Sequence, residues 1–118
     1  MQNRIDLSER LLDFAANSIK LTVKLKRSAV GRYIANQLMR AASSSGANYE
    51  EACGAESKAD FIHKMQLVLK ELRESLYWLK LVERTDLIWQ ELQALVDEAN
   101  ELTKIVAKSV ITAKGEGK

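Results

Sequence analysis

Apolar residues recur along this chain at alternating intervals of four and three. The first run is Leu7, Leu11, Phe14, Ser18, Leu21 and Leu25, which that spacing gathers on one helical face. The second is Ile34, Leu38, Ala41, Ser45, Asn48 and Ala52, beside a stripe of Ala35, Met39, Ala42, Gly46, Tyr49 and Cys53. A third joins Ile62, Met65, Leu69, Leu72, Leu76 and Leu79, widened by Phe61 and Val68. The fourth carries Ile88, Leu92, Leu95, Ala99, Leu102 and Val106, with Trp89 and Val96 beside them. Each run has the period of a helix that buries one side, and no prolonged β-branched run argues for a sheet.

The residues between the runs set the boundaries. Asp6, with Glu9 three positions on, is placed to cap the first helix; Lys24, Lys26 and Arg27 put positive charge at its negative end. Ser28 caps the second helix, Gly31 lies in its first turn, and Gly54 ends it by offering a left-handed residue. Ser57 caps the third, with Asp60 three positions later, and Thr85 with Asp86 starts the fourth. The predicted helices cover roughly 6–26, 29–54, 58–83 and 86–112, while 113–118 (AKGEGK) is too polar and glycine-rich to pack. Long helices with short connections force antiparallel neighbours. The expected fold is therefore all-α: one domain, residues 1–118, forming an antiparallel up-down-up-down four-helix bundle.

Two stretches depart from this regularity. From Ala41 to Asn48 every side chain is small, which fits close approach by a neighbouring helix, and Ser45 and Asn48 then need hydrogen-bond partners. On the third helix, Leu67, Trp78 and Leu81 are expected to project from the side opposite the apolar run, beside Glu71 and Glu74. A monomeric bundle does not expose so many large apolar groups on its outer side. These five residues are the expected interface between subunits.

Composition supports the helical reading and narrows the class. The 118 residues include no proline, five glycines and 47% apolar residues, so little interrupts the backbone ladder. A single cysteine, Cys53, excludes an intrachain disulfide framework. No signal-peptide core opens the chain, and no apolar run approaches the roughly 20 residues that span a bilayer. The expectation is a soluble cytoplasmic protein without membrane contact.

Charge is uneven. The net value is only +2, yet residues 14–49 hold six cations and no acid, while residues 50–118 carry ten Lys/Arg against 13 Asp/Glu. In an antiparallel bundle the first and third turns share one end. Lys20, Lys24, Lys26, Arg27, Arg32, Lys80 and Arg84 would gather there against Glu83 and Asp86, a candidate surface for phosphates of RNA or DNA. Cations near a helix end also complement its dipole, and basic surfaces are often only solubilising.

Catalytic chemistry finds no support. A di-metal bundle centre needs two Glu-x-x-His pairs, whereas this chain has one histidine, His63, with Asp60 three residues before it. Cys53 sits near a helix C-terminus, where the dipole opposes thiolate formation. Ser43, Ser44 and Ser45 have no nearby histidine base, and Gly31, Gly46 and Gly54 lack the spacing of a phosphate loop. Neither a cofactor nor a metal nor an enzymatic activity is expected.

The segments QLMRAAS (37–43), GANYEEA (46–52), ESKADFIHK (56–64) and LKELRESLYWLKL (69–81) together resemble small bundle proteins encoded in intervening sequences of bacterial large-subunit ribosomal RNA genes. The opening DLSERLLDFA and the closing KSVITAK are similar to that family too, so the likeness covers nearly the whole chain. It implies a homo-oligomeric bundle, commonly a pentameric ring. It also suggests kinship with the barrel-shaped accessory proteins of retroelements, which associate with nucleic acid. Arg40, Asn48, Tyr49, Glu51, Asp60, Phe61, Lys64, Glu71, Glu74 and Trp78 match motif positions and are read as structural and interface residues. The functional expectation is a non-enzymatic homo-oligomeric scaffold that contacts RNA or DNA through a basic end. The alternative is an adaptor that binds another protein and no nucleic acid.

Overall fold

The computed structural model describes residues 4–88 and 92–115. Four helices account for nearly all of them: α1 (Arg4–Leu25), α2 (Ala29–Cys53), α3 (Lys58–Thr85) and α4 (Leu92–Gly115). Each packs on its neighbours in sequence, α1 and α4 close the arrangement over a shorter contact, and the backbones of the diagonal pairs stay further apart. Ser8 of α1 reaches Glu50 of α2, while Leu11, further along α1, lies against Gly46, so the two run antiparallel. The same falling register joins α2 to α3, where Glu51 meets Lys64 and Tyr33 meets Trp78. The result is the expected all-α up-down-up-down bundle, 50 × 24 × 21 Å.

The first helix buries what its pattern predicts. Leu7, Leu11, Phe14, Ser18, Leu21 and Leu25 are all in the core. Ser18 keeps its hydroxyl there without a hydrogen-bond partner among the described residues. The chain is already helical from Arg4, the first described residue, so Asp6 lies within α1 and is not the expected cap. In α2 the Ser28 hydroxyl accepts from the Gly31 N–H, the cap its position predicts. Ser45 and Asn48 satisfy their polar groups locally, bonding the carbonyls of Ala42 and Ser44. A helix can bury such residues at little cost when its own backbone supplies the partner.

Gly31 does more than occupy a permissive first turn. A Cβ built there would stand 1.8 Å from the Leu25 carbonyl oxygen, so the start of α2 is pressed against the end of α1. Gly46 is different: a Cβ would meet Leu11 no closer than 3.7 Å, an ordinary contact.

Both predicted glycine and acid roles at the later turns need correction. Gly54 has φ −98, not a left-handed value, because α2 ends in tight bonds from Gly54 and Ala55 to the carbonyls of Glu51 and Ala52. Thr85 and Asp86 do not open the fourth helix. Thr85 is the last residue of α3, and Asp86, at φ 53, is its left-handed cap. A short polar side chain tolerates that conformation better than most. Trp89, expected on the fourth apolar face, lies outside the described residues. The expected fraying from 113 is also corrected: α4 continues to Gly115, with Ala113 buried in line with Val106 and Val110.

The third helix is rotated relative to its predicted face. Its buried row is Met65, Val68, Leu72, Ser75, Leu79 and Val82, while Ile62, Leu69 and Leu76 lie half-buried at the edge. Ser75 can occupy the centre because its hydroxyl donates to the Glu71 carbonyl at 2.8 Å. This rotation decides what α3 shows to solvent.

Candidate nucleic-acid interface

With Met65, Leu72 and Leu79 inward, the residues opposite them on α3 are Lys70, Arg73, Tyr77, Lys80 and Arg84, all exposed. Their spacings of three and four put them in one stripe of about 21 Å along the helix. None of the four cations makes an ion pair among the described residues. The acids nearest Lys70 and Arg73 are engaged elsewhere. Between residues 61 and 82 the only acids of α3 are Glu71 and Glu74, and Arg40 of α2 binds both.

The five residues expected to form an outward interface therefore stand elsewhere. Leu67, Glu71, Glu74, Trp78 and Leu81 occupy the flank of α3, each only half-buried, with Trp78 and Leu81 packed on the core. Arg40 Nη1 donates to Glu71 Oε1 at 3.3 Å and Nη2 to Glu74 Oε2, with the Glu71 side chain only 13% exposed. The Trp78 indole N–H donates to that same Glu74 oxygen at 3.0 Å. Four of the five thus have partners within the chain, and the premise that they project from the outer side fails. The spacing of the true outer stripe was present in the sequence, but finding it required placing Ser75 at the centre of the core.

The seven cations expected at the basic end divide into three sets. Lys26 and Arg27 form the α1–α2 turn and Arg32 the first turn of α2, where its guanidinium donates to the Lys26 carbonyl at 3.4 Å. Lys20 and Lys24 look along an open cleft of 730 Å³ between α1 and α4, with Asp13, Asn17 and Glu98. Lys80 and Arg84 belong to the α3 stripe. The first and third sets are linked through the rings, since Tyr33, next to Arg32, makes an edge contact with Trp78 at 5.8 Å. Tyr77 makes a second edge contact with Trp78 at 5.1 Å. Among the described residues of the two turns at this end, Glu83 and Asp86 are the exposed acids.

Elsewhere, charge serves the fold. Arg10 clasps Glu98 with Nε at 3.0 Å and Nη2 at 2.7 Å, tying α1 to α4, and this hydrogen bonding raises the guanidinium above its ordinary pKa. Lys64 donates to Glu51 at 2.7 Å, which raises its own value. His63 is exposed beside half-buried Asp60, whose backbone N–H is taken by the Ser57 cap. Cys53 is half-buried at the end of α2. Among the described residues no three His, Cys, Asp or Glu side chains are grouped to hold a metal, and no helix is long and apolar enough to cross a membrane.

One apolar feature went unread in the sequence. Leu12, Ile19 and Val23 stand on the outer side of α1, with Leu12 and Val23 61% and 66% exposed. Leu12 and Ile19 edge a groove of 620 Å³ floored by Ala15, Gly46 and Ala47. Spacings of seven and four were visible there, but the stronger inner run masked them.

Comparison with known proteins agrees with this architecture. Residues 4–108 match the family described as 23S rRNA-intervening sequence protein. The crystal structure of a Bacteroides thetaiotaomicron protein of unknown function from the S23 ribosomal protein family superposes with a TM-score of 0.82. It is 32% identical over 88% of this chain and 97% of that one. No curated protein matches the chain.

Proposed function

The chain belongs to the 23S rRNA-intervening sequence protein family, and we propose that it is a non-enzymatic, homo-oligomeric scaffold that grips the phosphate backbone of RNA or DNA. The observation that carries this reading is the unneutralised cationic surface: Lys70, Arg73, Lys80 and Arg84 on α3, continued by Lys26, Arg27 and Arg32. A chain with a net charge of only +2 that concentrates cations on one side has a field suited to a polyanion. Self-association is supported by the exposed Leu12, Ile19 and Val23 of α1, since isolated bundles rarely leave a contiguous apolar ridge uncovered.

The test is binding to a mixed RNA pool at two salt concentrations. Contact through about five phosphates predicts that affinity falls steeply as salt rises. Failure to bind at low salt rejects the reading. Light scattering at micromolar concentration tests the assembly, and a monomeric mass rejects it. The α1 ridge also favours a second reading, an adaptor for another polypeptide. Charge reversal at Arg27 and Arg32 separates the two: the adaptor keeps its partner, whereas the nucleic-acid scaffold loses affinity.

A further inference from the structure

The cationic stripe of α3 is interleaved with aromatic rings, and that combination selects among nucleic acids. Tyr77 lies in the middle of the stripe, between Arg73 and Lys80. Its ring meets Trp78 at an interplanar angle of 78°, and Tyr33 meets the same indole at 81°. Three rings thus form an edge-to-face chain whose centre is pinned, because the Trp78 N–H is bound to Glu74 and Glu74 in turn to Arg40. The outer two rings stay open: Tyr33 is 60% exposed and Tyr77 58%. Neither tyrosine is needed to fill the core. Each presents ring surface held in place from below.

Duplex nucleic acid offers such rings little, because its bases are stacked on one another inside the helix. A single strand offers unstacked bases, and proteins that bind single strands pair aromatic platforms with a cationic track. We infer that the outer face of α3 binds single-stranded nucleic acid, with a base stacked on Tyr77, a second on Tyr33, and phosphates running past Lys70, Arg73, Lys80 and Arg84. This rests on the proposed nucleic-acid reading and adds the strand state and the residues that read it. The arrangement is sequence-tolerant, since every base has a stacking face.

The experiment measures fluorescence anisotropy with a labelled oligothymidine of about twenty nucleotides and a hairpin duplex carrying the same number of phosphates. Each is titrated at about 50 and about 200 mM salt, the range over which phosphate contacts separate. The expected result is preference for the single strand, about tenfold loss for Tyr77→Ala with an unchanged salt slope, and recovery in Tyr77→Trp. Lys70→Gln with Arg73→Gln should instead flatten the salt slope by about 1.4 for the single strand. Because Tyr77 is exposed, the variants should keep the melting temperature of the parent. Equal or tighter binding of the duplex, or an unchanged affinity for Tyr77→Ala, overturns this inference alone and leaves a backbone-binding scaffold. Failure of both probes to bind at low salt removes the nucleic-acid reading as well.

Discussion

The two sides of α3 that meet at Trp78 are built on opposite principles. Toward α2, charge is closed on itself: Arg40 spans Glu71 and Glu74, and Glu74 also takes the indole N–H. Toward solvent, Lys70, Arg73, Lys80 and Arg84 face outward and make no ion pair among the described residues, with Glu83 and Asp86 the only acids near them in sequence on that side. The first side spends its polar groups on holding two helices together. The second leaves them unpaired, and of the four only Arg84, in the last turn of α3, has the helix dipole to complement. Comparing the two shows how a modest net charge can hide a strong local field: Glu71 and Glu74 are absorbed on one flank, which bares the cations of the other.

Substitutions can break that contrast in order of expected size. Trp78→Ala removes a ring packed on the core and opens a hole beneath Tyr33 and Tyr77. A fully buried tryptophan would cost more, so for this half-buried one the expected loss is about 2 kcal/mol, read as a lower urea midpoint. Arg40→Ala strips Glu71 and Glu74 of their shared partner. Because Arg40 is itself 48% exposed, solvent screens the pair and the expected loss is about 1 kcal/mol by the same measurement. Its second effect is informative: the freed acids lie beside the cationic stripe, so polyanion affinity should fall although Arg40 itself is internally paired. The smallest effect belongs to the outer face. Lys70→Gln, Arg73→Gln and Lys80→Gln together should move stability by no more than about 0.5 kcal/mol while weakening oligonucleotide binding. A large stability loss there would show that the stripe belongs to the fold after all.

The bundle itself was legible because helical period is written redundantly. Leu11, Phe14, Leu38, Leu72 and Leu102 are each buried where their runs require, and Ser28 and Ser57 cap where they stand. What escaped depended on a few residues whose polarity misleads. Ser75 reads as surface until its hydroxyl is seen bonded to the Glu71 carbonyl, and omitting it turned the predicted face of α3 by roughly one residue. That small rotation exchanged the flank for the outer side. It sent Leu67, Trp78 and Leu81 to solvent in the prediction and hid Lys70, Arg73 and Tyr77. The basic end was half legible for a similar reason. Counting cations finds Lys20 and Lys80 equally, but only the packed helices turn one toward a cleft with Glu98 and the other onto an open face.

Gly31 carries a consequence for how the molecule could respond to a ligand. Where two helices meet through side chains, a rotamer change lets one slide or tilt against the other. At this joint no side chain intervenes: the α2 backbone sits directly on the Leu25 carbonyl, a contact with no adjustable part. The first hairpin is therefore a fixed angle bracket. Tyr33, two residues beyond Gly31, and the cations of the same turn are carried on that bracket as rigid fittings. A strand arriving at this end would find the spacing between ring and charge already set and would have to conform to it.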